Sequence, residues 1–421
     1  MNPGSKWLAR AWLIVALLWF VGCLNYLDRI MITTMRGSLQ AAIPMSDAQF
    51  SLLTSVFLWV YGLLSPFAGF LADRAGRSRV IIASLFVWSL IMWLTGHAKT
   101  FDQLLLARAL MGISEACYIP AALALIADYH RGPTRSLANG VHLTGIMVGS
   151  ALSGVGGWLA GKYSWNYGFN LFGIVGIGYS LFFVFLLRDA PCAKGEAPAR
   201  VTTENKVRIG EAVVSLFSRG SFIIACVYWG LLGLAGWAVV GWLPTYLNDQ
   251  FHLSQGRAGL SATGYVQTAA MVGVLLGGFW ADRWSRTNER GRIFVPILGL
   301  CIAAPAILLA SSTSLLGFAV AGLVCYGLAR SFADTNMMPI LCLVSDPRYR
   351  ATGFGILNMF ACAVGGGATY AGGALRDAHV DLSRIFQFAA ASLALCAVLL
   401  LFIKPMRPAA DGQETISIEP K

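Results

Sequence analysis

Twelve runs of about twenty apolar residues, separated by short polar stretches, leave this chain of 421 residues few folds to choose from. No water reaches a backbone amide at the centre of a bilayer, so a run of that length must close its hydrogen bonds on itself as a helix. The runs cover 11–35, 50–72, 80–98, 102–126, 137–160, 167–187, 222–247, 256–281, 293–311, 315–343, 351–374 and 382–403. Hydrophobic residues make up 57% of the chain and charged residues 12%, too little polar surface to keep it in water. The expected fold class is an all-α membrane protein with twelve transmembrane helices.

The runs form two sets of six. GFLADRAGR at 69–77 returns as GFWADRWSR at 278–286, and each copy closes an apolar run. Pro120, Asp128 and Arg135 are echoed at similar spacing by Pro339, Asp346 and Arg350. Such repetition marks carriers made of two similar bundles that rock about a central site, so the helices should form two pseudo-symmetric six-helix bundles. The predicted divisions are a bundle at 1–188, a cytoplasmic linker at 189–220, a second bundle at 221–403 and a tail at 404–421. The linker is rich in Lys, Arg, Pro, Glu and Thr and reads as having no fold of its own, and the tail reads as disordered.

Orientation follows from the basic residues. An N-terminus in the cytoplasm places most of the 31 Lys and Arg on that side, which predicts both termini there and a multi-pass protein of the plasma membrane, the inner membrane of a bacterium. The net charge of +11 is this bias, with membrane lipids as counterions and no nucleic-acid partner. The first run lacks a small-residue cleavage site and continues into Asn25 and Asp28, so it reads as a retained helix. Nine cysteines without paired spacing read as small buried apolar residues. The histidines show no metal-ligand spacing and no Ser, His and Asp set converges, so neither an enzyme, a metal site nor a cofactor is expected.

Charges inside the runs carry the functional reading. Asn25, Asp28 and Arg29 share one face of the first helix, Arg108 and Glu115 share a face of the fourth, and Arg330 and Asp334 stand at i and i+4 in the tenth. A charge at bilayer depth costs about 3 kcal/mol on insertion scales, so these faces should look into a protein cavity. Three acids balance three bases, and an entering anion then needs its own countercharge. Protonating Asp28 or Glu115 would free a guanidinium for a carboxylate, which ties proton uptake to anion uptake. Arginine suits the task because its planar fork donates two parallel hydrogen bonds. The expected roles are Arg29 on the substrate carboxylate, Asp28 and Glu115 in proton coupling, and Arg108 in the substrate site, paired with Glu115. Arg330 with Asp334 reads either as a second substrate clamp or as a structural pair.

Neutral groups at mid-span depth, Tyr26, Tyr61, Gln267 and Asn358, would meet substrate hydroxyls or bond between helices. Trp229, Trp237 and Trp242 read as interfacial anchors, with part of an external gate as the second reading. Glycines crowd the fifth and eleventh runs, either for static packing or to let those helices slide. Asp73, at a helix end, would accept hydrogen bonds from the first amides of a neighbouring helix, while Arg74 and Arg77 meet phosphates or carboxylates. Asp282 and Arg283 are the counterparts in the second copy.

The GFLADRAGR loop, twelve runs and a basic central stretch resemble a major facilitator superfamily transporter over the whole chain. The resemblance implies that Asp73 and Arg77 act as a cytoplasmic latch, broken when the carrier opens inward. The second copy departs by holding Ser285 where the first has Gly76, so the tighter turn is expected only in the first half. Asn25-Tyr26-Leu27-Asp28-Arg29 and the RALMGISEA that begins at Arg108 resemble the anion:cation symporter branch, carriers of sugar acids, hexuronates, phthalate-like acids and sialic acid, and also spinster-type lipid carriers. The continuation into Pro120 favours the anion branch, which implies the same roles for Asp28, Arg29, Arg108 and Glu115. The fifth run lacks the Gly-Pro pattern of drug antiporters. The expectation is a proton-coupled symporter of a small organic anion, a sugar acid or related carboxylate, acting as a monomer by alternating access. The alternatives are a spinster-like lysolipid or sphingolipid carrier and a non-transporting receptor on the same scaffold.

Overall fold

Each apolar run becomes a helix. The computed structural model describes residues 3–130, 134–190, 209–288 and 290–404, apart from the side chains of 3–7, 68–70, 72–73, 136, 209 and 347. Among the described residues, twelve helices are long and apolar enough to cross a membrane: α1 Leu8–Thr34, α2 Asp47–Phe67, α3 Arg77–Thr95, α4 Phe101–Tyr129, α5 Leu137–Lys162, α6 Trp165–Leu186, α7 Gly220–Phe251, α8 Gln255–Ser285, α9 Gly291–Ser312, α10 Leu316–Val344, α11 Arg350–Asp377 and α12 Leu382–Leu401. They follow the apolar runs to within a few residues, and polar caps account for part of the difference. Ser46 and Gln49 form a reciprocal capping box at the start of α2, and Thr100 caps α4.

The two halves repeat each other in detail. α4 is interrupted at Cys117 and α10 at Asn336, in each case just before a proline, Pro120 and Pro339, in the first turn of the segment that follows. Proline lacks the amide needed deeper in a helix, so it is tolerated where a new turn begins. Between α2 and α3, Gly76 takes φ +91°, a conformation that excludes most side chains. In the second copy the helix runs through Ser285, and the next helix begins at Gly291.

Two large buried clusters fill the molecule. One is drawn from α1–α6 with Cys362, the other from α7–α12 with Leu216. Close helix crossings rely on glycine: Gly149 of α5 lies against the Cys23 carbonyl of α1, and Gly273 of α8 against the Leu328 carbonyl of α10. A methyl at Gly149 would land on the Cys23 backbone, whereas one at Gly178 meets nothing within 4 Å. Gly149→Val should therefore destabilise the protein by about 3 kcal/mol or more through overpacking. Gly178→Ala should be neutral or gain up to about 1 kcal/mol from helix propensity. Thermal unfolding of the two variants in detergent checks the contrast, and equal midpoints would refute it.

Two sequence expectations need correction. The stretch read as an unfolded linker contains a helix, Ile209–Phe217, whose Ala212 and Leu216 are buried and which packs on α7 and α11. Its apolar residues recur at helical spacing, a short signal hidden in a charge-rich neighbourhood. Residues 191–208 and the tail from 405 onward lie outside the described residues. Not every cysteine is interior either, since Cys301 and Cys325 are exposed.

Candidate transport site

The helical spacing of Asn25, Asp28 and Arg29 turns all three inward, and each is almost fully buried. Arg29 Nε and Nη2 donate to Glu115 Oε2 at 3.3 and 3.0 Å, and Nη2 also reaches Asn25 Oδ1 at 3.4 Å. Three rings cover the same guanidinium, with its Cζ 4.5 Å from the Tyr26 centroid, 5.0 Å from Phe57 and 4.3 Å from Tyr61. Glu115 Oε1, Asp28 Oδ1 and Asn25 Nδ2 are buried with no hydrogen-bond partner.

The expected Arg108–Glu115 pair does not form. Seven residues along a helix separate two side chains by about 10 Å of rise, too far for a direct contact on one face. Arg29, arriving from α1 at the level of Glu115, takes the acid instead. Arg108 donates to the carbonyls of Leu53 at 3.2 Å and Arg29 at 3.1 Å, and to Met111 Sδ at 3.3 Å. Its Cζ lies 4.8 Å from the Phe57 centroid, so one ring touches both guanidinia.

A cavity of about 380 Å³ lies between the halves. α1 contributes Tyr26 and Ile30, α5 contributes Ile146, Met147 and Ser150, and the rest comes from α7, α8, α10 and α11. Tyr26, Gln267, Arg330 and Asp334 are brought together on its wall. Arg29, Asp28, Arg108, Glu115, Tyr61 and Asn358 are not among its lining residues. Tyr26 stands between, part of the wall on one side and stacked on Arg29 on the other. Asn358 Nδ2 donates to Ser65 Oγ at 2.9 Å, joining α11 to α2.

The tryptophans depart from the anchor reading. Trp229 and Trp237 line the cavity, and Trp242 is buried with its Nε1 donating to the Thr369 carbonyl at 3.1 Å. Their positions on the inner face of α7, not its ends, decide this.

Residues missed in the sequence tie the halves at one rim. Asp47 at the start of α2 receives Arg36 Nε at 2.7 Å from its own half and Arg376 Nε at 2.7 Å from the other. Arg376 also pairs with Asp249 at 2.7 Å. Asp377, ending α11, accepts from the amides of Asp47 at 2.8 Å and Ala48 at 2.9 Å, so it caps a helix of the opposite half. Gln255 of α8 bridges to Ser38, accepting from its amide at 2.9 Å. Charges at the ends of separate apolar runs were the only sequence signal for this set.

At the opposite end, Arg77 donates to the Ala124 carbonyl at 2.9 Å and pairs with Asp128, both on α4. Asp189 caps α3 by accepting from the Ser78 amide at 2.8 Å. Asp282 pairs with Arg292 at 3.3 Å on its own side, while Arg74 and Arg283 are exposed. The Asp73 side chain lies outside the described residues.

Residues 18–370 match the family model described as Major Facilitator Superfamily. The chain belongs to that superfamily. It is a transporter of the superfamily's fold and not an enzyme. A probable sulfoacetate transporter of Cupriavidus necator is 25% identical over 93% of each chain. A probable L-galactonate transporter of Escherichia coli is 26% identical over 76% of each. Protein spinster homolog 1 of Xenopus tropicalis is 25% identical over 69% of this chain and 58% of its own. The solved structure of a bacterial homolog of the human lysosomal transporter Spinster superposes with a TM-score of 0.74 at 22% identity, covering 94% of this chain and 95% of the other.

Proposed function

We propose that this superfamily member is a proton-driven symporter of a small organic anion, a sugar acid or related carboxylate, acting as a monomer in the plasma membrane. The single observation that carries this reading is the buried Arg29–Glu115 pair, with Asp28 beside it short of a partner. Ionisable groups are costly at bilayer depth and persist where they move ions or substrate. The names of the sulfoacetate and galactonate relatives agree with an anionic cargo.

In this reading the bundles at 1–188 and 221–403 rock about the cavity. With the 69–77 loop and both termini in the cytoplasm, the rim held by Asp47 and Arg376 is the outer one. Displacement of Tyr26 uncovers Arg29, a substrate carboxylate takes the guanidinium, and the released Glu115 is neutralised by a proton, with Asp28 as the second carrier. Arg108 holds the backbone of α1 in register beneath them. Asp73, Arg74 and Arg77, with Asp282 and Arg283, form the cytoplasmic gate.

The test is uptake of galactonate and sulfoacetate into proteoliposomes. An inward proton gradient should drive accumulation, and a protonophore should reduce it to the level of exchange. Accumulation that ignores the protonophore would refute proton coupling. One observation favours a spinster-like lipid carrier instead: a mainly apolar groove of about 620 Å³ between α8 and α10, lined by Leu260, Tyr265, Val272, Val324 and Leu328 among others. Lysolipid transfer that competes with no acid would select that reading.

A further inference from the structure

The cavity presents one cation and one anion, and both belong to α10. Among the described lining residues, Arg330 and Asp334 are the only members of the Asp, Glu, Lys, Arg and His set. Arg330 Nη1 donates to Asp334 Oδ2 at 2.8 Å, Nη2 reaches the Leu232 carbonyl only at 3.5 Å, and Nε is buried with no acceptor. The guanidinium has five N–H donors, so it is short of acceptors where a buried donor normally finds one. Gly236 of α7 makes room for it: a methyl there would sit 2.6 Å from Nη2.

The remaining wall is poor in groups that could meet hydroxyls. Ser150 and Ser331 donate to carbonyls one turn back in their own helices, at 3.0 and 2.6 Å. Gln267, Tyr26, Tyr326 and the indoles of Trp229 and Trp237 remain, among aliphatic side chains such as Ile30, Met147, Val266 and Met337. A polyhydroxy acid entering this space would leave most of its hydroxyls without partners, which is costly away from water.

We propose that Arg330 anchors the acid group of a compact monoacid with a largely apolar body, and that Asp334, displaced from the guanidinium, takes up one proton. This rests on the reading of the protein as an anion carrier and, among the carboxylates that reading allows, selects an apolar acid over a sugar acid. The charge count requires the proton. Arg330 and Asp334 together are neutral, an added monoanion leaves one surplus negative charge in a poorly screened space, and a proton on Asp334 cancels it. Around the pair stand Tyr326 on the same helix, Tyr228 on α7, Cys396 on α12 and Tyr26 across the cavity. α8 brings the neutral Gln267, and α9 meets α10 through Gly299 and Ala306. The site is therefore a second proton-linked pair, separate from the one behind Tyr26.

Trp229 and Trp237 supply the readout. Intrinsic fluorescence of the purified full-length protein is titrated with hexanoate and gluconate, six-carbon acids that differ in their hydroxyls, and with cyclohexanecarboxylate and its neutral alcohol analogue. Hexanoate and cyclohexanecarboxylate should bind at least tenfold more tightly than gluconate or the alcohol, and more tightly as pH falls. Arg330→Gln should weaken them at least tenfold and Arg330→Lys severalfold, the lysine variant guarding against a folding defect. Asp334→Asn should keep binding and lose its pH dependence. Gluconate binding as tightly as hexanoate would overturn the ligand class, and unchanged binding in both Arg330 variants would overturn the anchor. If no apolar acid binds while galactonate is still accumulated by a proton gradient, this inference fails and the symport reading stands. If apolar acids bind but no acid responds to the gradient, the reverse holds.

Discussion

Glu115→Gln should sharply reduce proton-driven accumulation while leaving substrate exchange between the two sides of the membrane. The carboxylate is the partner of Arg29, and both side chains are almost wholly excluded from water. Glutamine keeps an oxygen to accept from the guanidinium but neither carries the charge nor takes the proton. A gradient then has nothing to act on at this position, whereas a carboxylate cargo can still occupy Arg29. The variant should also be less stable, because removing one partner of a buried pair leaves an uncompensated charge, at a cost of about 3–5 kcal/mol. Replacing both residues by methionine should recover most of that stability without restoring transport, since an apolar pair of similar volume is often as stable as the ions. Uptake in proteoliposomes, paired with thermal unfolding, reads both effects. Full accumulation by Glu115→Gln would remove this acid from the coupling mechanism.

Arg376→Ala should shift the carrier toward its outward-open form by on the order of tenfold. Arg376 holds Asp47 across the bundle boundary and Asp249 beside it, from a site about one quarter exposed. Exposed ion pairs contribute about 0–1 kcal/mol, and hydrogen bonds to charged groups about 1.5–3 kcal/mol. A loss near 1.4 kcal/mol is a factor of ten in population. Asp377→Asn acts on the same closure by weakening the cap on the first amides of α2. Hydrogen exchange at 47–50 should quicken in both variants, and a spin-label pair across the rim should report longer distances in Arg376→Ala. Unaltered distances would mean that the glycine contacts of α5 with α8, at Gly154 and Gly259, hold the rim closed by themselves.

The spans were legible because lipid leaves an apolar run of twenty residues no other regular structure, and the repeat of 69–77 at 278–286 gave the pairing of halves. The buried faces of α1, α4 and α10 followed from spacing alone. Partners did not. Helical spacing put Arg108 and Glu115 on one face, but which guanidinium meets the acid depends on the level at which α1 crosses α4. The rim network was invisible for the same reason, since Asp47, Asp249 and Arg376 become neighbours only once three helix ends are brought together. The tryptophans of α7 misled because a ring near a helix end and one facing an internal space share the same composition signal. Helix Ile209–Phe217 was lost in a stretch whose charges dominate its few apolar residues.

Tyr26 belongs at once to the wall that a cargo would touch and to the stack that covers Arg29. While its ring lies there, Asp28 and Glu115 are buried and take no part in the wall of the central space. If Glu115 and Asp28 carry protons as proposed, an empty carrier swings from one side to the other without loading this pair from the central space. On that reading the guard over the inner pair, at this point in the cycle, is the resting torsion of one phenol.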